Sequence, residues 1–460
     1  MPNNKKIKPA LPGGFRDTLP DEYARREWVL ERAIKVYRSF GFKPIDTSAV
    51  EYFQTIAGSD ETSKQIYRMF NHTPDMTGES LALRFDLTVS LARIIAANRK
   101  SFTFPFKRFQ VGEVWRGERQ QRGRFKQFLQ FDADIVGTAS PSADAEIVML
   151  IAGTMREIGL PNFTVRINNR KILNGFIRSL GLDETDVNPF LRILDKLEKI
   201  GWEGVSKKLT AEKPSLEDME AGAEGMGLDE AAVAKVNLFL NLPKDNYSRI
   251  EALKEILNDS KIAVEGLSEI EKILSLSNAA GVTEQNLSFD PSIARGLDYY
   301  TGPVFETILN DLPSLGSVMS GGRYDNLVER FSNESIPATG ISLGVDRLLV
   351  GMEELGLMSS TETSSKVLVV GLGDETESYT FNLASELRGI GISAEVFLGE
   401  NRSLKKQMTY ADRNSILYCV IIGPEEMEKG TAQVKMMTTG EQWEYSINDI
   451  KQYFQRTAER

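Results

Sequence analysis

The chain has 460 residues, enough for roughly two to four domains, and its 41% hydrophobic and 26% charged content is that of a folded protein. Sixty-five acidic against 55 basic side chains give a net charge of −10, which as a whole-chain number argues against a nucleic-acid coat. One cysteine, Cys419, leaves no room for an intrachain disulfide or a cysteine-based zinc site, and one histidine, His72, almost excludes histidine metal cages, Ser-His-Asp triads and histidine proton relays. Chemistry therefore falls to arginine, tyrosine, carboxylates and backbone, and no metal site is expected.

No apolar run reaches the 18 or more residues of a membrane-spanning helix. The N-terminal MPNNKKIKPALPGGF lacks the apolar core of a secretory signal, so a reducing cytoplasm is the expected compartment. In chain order, a first helix starts near Thr18 or Asp21, with Pro20 in its first turn. Leu30, Ala33, Ile34 and Tyr37 recur at helical spacing, and the helix stops at Phe40-Gly41. A β-like stretch covers 44–50, and 81–100 reads as a short strand running into a helix striped by Leu91, Ile94 and Ile95. KRFQVGEVWR (107–116) and FKQFLQFDADIVG (125–137) alternate as strands do. Joined by GERQQRGR, they predict a long β-hairpin.

A helix is expected over 142–160 and a strand over 163–168. Strand signals then fade across 183–288, where Leu and Lys/Glu recur at helical spacing; this predicts a mainly helical insertion. Its stretch 211–230 holds seven acidic residues against one lysine and reads as solvated surface. β character returns over 289–358, SSTETSS (359–365) is a polar linker, and strands alternate with helices over 366–460. That last pattern predicts a small α/β domain with a largely parallel sheet. Cys419, inside the apolar LYCVII, is expected as a buried structural thiol.

Four windows carry chemistry. In 104–126, seven basic residues face two acidic ones, and four arginines fall within the nine residues 116–124 around Gly117 and Gly123. Arginine forks bind phosphate bidentately and glycine lets backbone approach a ligand, so this window favours a polyphosphate or nucleic acid. RGLDYYTGPVFE (295–306) can build a small polar pocket, although adjacent tyrosines on a strand would point to opposite faces. SGGRYDNLVERF (320–331) sets paired glycines beside Arg323, Tyr324 and Asp325. GISLGVDRLL (340–349) carries Asp346 and Arg347 into the start of a helix, where an arginine and outward N–H groups can meet phosphate.

These windows resemble, over nearly the whole chain, the histidyl-tRNA synthetase family of class II aminoacyl-tRNA synthetases. VWRGERQQRGRFKQFLQFDADIVG resembles the second class II motif and ISLGVDRLL the third; RGLDYYTG and SGGRYDNLV resemble the family's two signature peptides. The resemblance implies an α+β fold. A catalytic domain, an antiparallel sheet flanked by helices, would occupy 1–182 and 289–358, with the helical insertion at 183–288 and a C-terminal α/β anticodon-binding domain at 366–460. The implied activity is ATP-dependent joining of L-histidine to tRNA(His), with Mg2+ on the ATP phosphates and a homodimer as the working unit.

Residue by residue, the resemblance implies that Asp86, Leu87 and Thr88 meet the amino acid's ammonium. Arg116 would grip the α-phosphate and the histidine carboxylate. Glu118, Arg124 and Phe128 would take adenosine and phosphates, Gln130 the ammonium, and Asp134 a ring nitrogen. Arg295 would act at the α-phosphate, while Tyr299, Tyr300 and Tyr324 would wall the imidazole pocket. Gly344 and Arg347 would close the ATP site, Arg347 on the γ-phosphate. Arg116 and Arg295 are the catalytic pair. tRNA would meet Arg119, Gln121 and Arg122 on the hairpin and Arg402, Lys405 and Lys406 in the C-terminal domain. The sequence departs from the family at Ser48, where the first motif usually has proline, and at Asp86, where many members have glutamate.

Three other readings compete with this one. A histidine-sensing regulatory subunit of ATP phosphoribosyltransferase would typically lack the C-terminal domain and Arg295. A tRNA-sensing module of a stress kinase would need an attached kinase, and no kinase glycine loop or HRD motif occurs. A synthetase for a neighbouring amino acid is disfavoured by RGLDYYTG.

Overall fold

The computed structural model describes residues 8–57, 63–69, 80–118, 125–183, 186–194, 196–214, 225–293, 299–358, 365–400 and 402–458. The chain divides into two compact units, Met1–Asp17 with Arg26–Leu357, and Thr18–Arg25 with Met358–Arg460.

The first unit is built on an eight-stranded sheet. Its strands are β1 (Lys43–Pro44), β5 (Phe106–Trp115), β6 (Gln127–Val136), β7 (Phe163–Asn169), β8 (Leu287–Phe289), β9 (Pro303–Leu309), β10 (Met319–Tyr324) and β11 (Ala338–Gly344). They lie in the order β1-β5-β6-β11-β10-β9-β7-β8, antiparallel except for the two edge pairs β1–β5 and β7–β8. A small antiparallel sheet of β2 (Val50–Tyr52), β3 (Arg68–Met69) and β4 (Leu81–Leu83) accompanies it. The hairpin expected from alternation is β5–β6, in register from Phe106 opposite Val136 to Trp115 opposite Gln127.

Alternation sorts the two faces. Phe131 and Ala133 turn towards helix Pro20–Ser39, where Tyr37 lies 4.5 Å from the Phe131 ring and 6.0 Å from Phe109. Helix Pro141–Glu157 covers the same side: Ser140 Oγ caps it by accepting from the Ser142 N–H, Pro141 occupies the first turn, and Ile147, Leu150 and Ile151 are fully buried. Helices Arg170–Ser179 and Lys261–Ala279 complete this layer; Phe176 stacks on Phe239 at 4.0 Å. Every helix described between Val187 and Ala279 belongs to the stretch expected to be helical. The opposite face of the sheet is left to the cavity described below.

The second unit has a five-stranded sheet of order β13-β12-β14-β15-β16, with β12 (Val367–Gly371), β13 (Ala394–Val396), β14 (Tyr418–Ile422), β15 (Thr431–Met436) and β16 (Gln442–Ser446). Only β13, β12 and β14 are parallel; β15 and β16 run antiparallel, turning at Gly440 in the left-handed conformation (φ +76°). The expectation of a largely parallel sheet therefore holds for three strands of five. The helix Pro424–Lys429 after β14 is too short to cross the sheet and bring the next strand back parallel. Val367 and Val369 pack one way, with helices Glu377–Gly389 and Ile447–Ala458, while Leu368 and Val370 pack the other way with Ala411 and Cys419. Cys419 is fully buried, and burial pushes its thiol up to about 12, as expected of a structural cysteine.

Candidate active site

A cavity of about 370 Å3 opens on the face of β6, β11, β10 and β9 away from the helical layer. Period-two geometry gives that face Gln130, Asp132 and Asp134 from β6, Gly340, Ser342 and Gly344 from β11, and Ser320 and Tyr324 from β10. The register sets these residues in rows across the sheet. One row runs Gln110, Asp132, Ser342, Ser320, Glu306, Arg166, polar at every strand. The next runs Arg108, Asp134, Gly340, Gly322, Val304. At Gly340 a Cβ would overlap the Asp134 carboxylate, so glycine there is what leaves room for a polar group on the floor.

Asp134 is held from two sides. Its Oδ1 accepts from the Tyr324 hydroxyl at 2.5 Å, and the fully buried Arg108 guanidinium lies 2.5 Å from Oδ2. Burial raises the Asp134 carboxyl, while Arg108 and the Tyr324 hydroxyl oppose that shift. Tyr324 in turn is pushed well above its ordinary value by burial and by Asp134. Tyr299 packs edge-on against Tyr300 at 5.0 Å and against Tyr324 at 5.9 Å, and both Tyr299 and Tyr300 are raised chiefly by burial. The three phenols stay neutral and serve as hydrogen-bonding walls.

Asp86 stands at the start of helix Thr88–Ala97. Its carboxylate accepts from the Val89 N–H at 2.8 Å, supplying the cap that Leu87 lacks. Burial raises the Asp86 carboxyl, opposed by the Val89 amide and by Arg116. Arg116, just beyond β5, is fixed by its Nε donating to the Phe85 carbonyl at 3.1 Å. Its guanidinium lies 4.5 Å from the Phe85 ring centroid and 5.1 Å from that of Phe128. Gly344 precedes helix Val345–Glu354, where Arg347 donates from Nη1 to the Ser317 carbonyl at 2.6 Å. Asp346 beside it takes Arg16 at 2.8 Å and Arg26 at 3.1 Å.

The cavity thus gathers Asp86, Thr88, Arg116, Glu118, Phe128, Gln130, Asp134, the three tyrosines, Gly344 and Arg347, which the sequence scatters over more than 250 positions. Leu87 does not join them: it is fully buried, packed towards Gly112 beneath the hairpin, because its neighbours Asp86 and Thr88 take the two cavity-facing places. Tyr299 and Tyr300 both reach the one cavity, contrary to the opposite-face expectation, because they precede β9 in irregular backbone where strand alternation does not apply. Arg295, Arg124, Arg119, Gln121 and Arg122 lie outside the described residues.

Sequence reasoning missed Asp132, Ser342 and Ser320. Asp132 was within reach of it, since the alternation that paired Gln130 with Asp134 passes through 132. Ser342 and Ser320 carry no local signal, because their place depends on the register of strands far apart in sequence. In the second unit, Arg402 pairs with Glu377 at 2.5 Å before helix Leu404–Arg413, whose Lys405 and Lys406 are exposed. Ser48 Oγ accepts from the Val50 N–H at 3.2 Å and donates to the Val50 carbonyl at 2.7 Å, a local turn where the family usually has proline.

The mainly antiparallel sheet thus carries helices on one face and, on the other, an open cavity lined by an arginine-bearing hairpin and a strand-to-helix arginine, the arrangement implied by the class II resemblance. Residues 14–348 match the histidyl-tRNA synthetase family and residues 366–457 match the anticodon binding domain family. The histidine–tRNA ligase of Clostridium tetani is 39% identical across 96% of this chain and 97% of its own. That of Rhodopirellula baltica is 41% identical across 95% of each. The crystal structure of histidyl-tRNA synthetase from Nostoc sp. PCC 7120 is similar at 33% identity and a TM-score of 0.84, covering 98% of this chain and 100% of that one. The chain belongs to the histidyl-tRNA synthetase family.

Proposed function

We propose that the protein is a histidine–tRNA ligase, activating L-histidine with ATP and passing it to the 3′ end of tRNA(His). In the first step a histidine carboxylate oxygen attacks the α-phosphorus; one P–O bond forms, the bond to the β-phosphate oxygen breaks, and pyrophosphate leaves. Both reactants are anionic, so catalysis rests on alignment and on neutralising charge as it grows. Arg116, held rigid by Phe85 and Phe128, would grip the carboxylate and α-phosphate. Arg295 would join it there, Arg347 would take the γ-phosphate, and Glu118, Arg124, Phe128 and Gly344 would seat the nucleotide. No protein base is needed, in keeping with a chain holding one histidine. In the second step the terminal ribose hydroxyl of tRNA attacks the acyl carbon, its proton is released, and AMP departs.

Mg2+ would travel with ATP, held by the phosphate oxygens. Among the described residues no three His, Cys, Asp or Glu side chains converge on a cation. The charge neutralisation that the protein itself would supply is that of the arginines. Asp86, Thr88 and Gln130 would receive the ammonium, and Asp134 with the tyrosines would read the ring. A pocket that hydrogen-bonds the imidazole leaves its buried polar groups unpaired when an apolar isostere enters, so no editing domain is called for.

The observation that carries this reading is the convergence of Asp86, Arg116, Gln130, Asp134, Tyr324 and Arg347 on one cavity. Histidine-dependent ATP–pyrophosphate exchange tests it: Arg116→Ala and Arg295→Ala should each abolish the exchange, and an inert wild-type protein overturns the reading. The tRNA contacts would be Arg119, Gln121 and Arg122 on the hairpin and Arg402, Lys405 and Lys406 in the 366–460 domain, with the 183–288 insertion clamping the acceptor stem. The working unit would be a cytoplasmic homodimer, checked by a solution mass of twice 51.4 kDa.

A further inference from the structure

Six carboxylates line the cavity, and three of them, Asp86, Asp132 and Asp134, differ in their hydrogen bonding. Asp86 carries the Val89 and Thr88 amides. Asp134 accepts from the Tyr324 hydroxyl at Oδ1, and its Oδ2 is ion-paired to Arg108 without a hydrogen bond. Asp132, 3% exposed, receives the Ser342 hydroxyl, but its Oδ1 accepts no hydrogen bond. One step along the same strand face, Gln130 donates through Nε2 to Ser342 Oγ at 3.3 Å, and its buried Oε1 also accepts nothing. Gln130, Ser342 and Asp132 therefore form a chain that leaves two acceptors at the cavity without a donor. A buried acceptor without a donor costs about 1–3 kcal/mol, more when charged, so such groups are normally matched by what binds there.

We infer that Asp132 is a further substrate-binding residue of this site, its Oδ1 accepting an N–H of the amino acid's ammonium group beside Gln130. This rests on the reading of the site as histidine-activating. An ammonium brings three donors and a full charge, so a single nitrogen can serve both acceptors on this strand face. An imidazole N–H is a single donor and serves only one of them. The charge count agrees: Arg108 and Arg84 reach Asp132, but Asp134 and Asp86 repel it, and the nearby Tyr37 and Tyr300 are neutral phenols. Burial pushes the Asp132 carboxyl up to about 7 in the unliganded protein, and a bound cation favours its ionised form.

Two competitive inhibitors of the exchange reaction separate this role from a structural one. Histidinol keeps the ammonium and the ring, whereas imidazolepropionate keeps the ring and loses the ammonium. With Asp132→Asn, histidinol should bind tenfold or more weaker while imidazolepropionate changes less than twofold. Equal weakening of both, or of neither, overturns the inference. In the wild type, histidinol should gain on imidazolepropionate as pH rises from 6 to 8 and Asp132 ionises. Each inhibitor's constant is first corrected for its own ring ionisation, since the ammonium of histidinol lowers its ring pKa below that of imidazolepropionate, and a flat corrected ratio likewise overturns the inference even if the variant fails to fold. Wild-type exchange without added inhibitor tests the activity itself, so a failure there is told apart from a failure at Asp132.

Discussion

Asp134 lies directly across from Gly340 in the β6–β11 pair, its carboxylate occupying the space a Cβ at 340 would need. The pair explains how a sheet floor, normally filled by side chains, holds a charged group tied to Arg108 and Tyr324. The position of Asp134 is thus set by what its neighbour lacks.

Gly340→Ala should displace that carboxylate. The expected outcome is a KM for histidine raised tenfold or more with the KM for ATP within about twofold, and a stability loss of about 1–3 kcal/mol from overpacking. Exchange kinetics and urea unfolding check both. An unchanged histidine KM would mean that Asp134 does not read the substrate from its present place.

Arg108 is wholly buried and is the ion-pair partner of Asp134. Arg108→Met should cost about 3–5 kcal/mol, because it strands a buried carboxylate. Arg108→Met combined with Asp134→Asn should recover part of that loss. A double variant as unstable as the sum of the singles argues against the coupling.

The raised carboxyl of Asp132 fixes the sign of a pH effect. With a folded value near 7 against 3.8 unfolded, its contribution is fully present below about pH 4 and is lost as pH rises through 7. Asp132→Asn removes that titration. In the absence of substrate the variant should therefore gain stability relative to wild type between pH 5 and pH 8. Parallel stability curves across that window would contradict the assignment.

Cys419 is the only cysteine, so thiol chemistry reports on one place. Full burial and a thiol pushed up to about 12 predict no reaction with a thiol reagent in the native protein at pH 8. Labelling should appear only as the second unit unfolds in urea. Rapid labelling without denaturant would place Cys419 outside the core.

Much of this was legible in the residues. Alternation over 107–116 and 125–137 predicts the β5–β6 hairpin to within two residues at each strand end. Helical spacing and Gly41 bound the first helix, and four short windows hold most of the cavity's polar groups. These features depend on period and local backbone preference, which a linear string carries.

Other features needed the folded chain. That Asp132, Ser342, Ser320 and Glu306 stand in one row is a fact of register between β6, β11, β10 and β9. Tyr299 and Tyr300 share a cavity because the backbone leaves the strand pattern before β9, and Leu87 turns inward because its helix starts at an aspartate that faces the site. The single cysteine and single histidine excluded from sequence an intrachain disulfide and a cysteine or histidine metal cage. Which polar groups on the cavity floor pair with one another was decided only by tertiary structure, since hydrogen bonds across a sheet join residues that no local pattern connects.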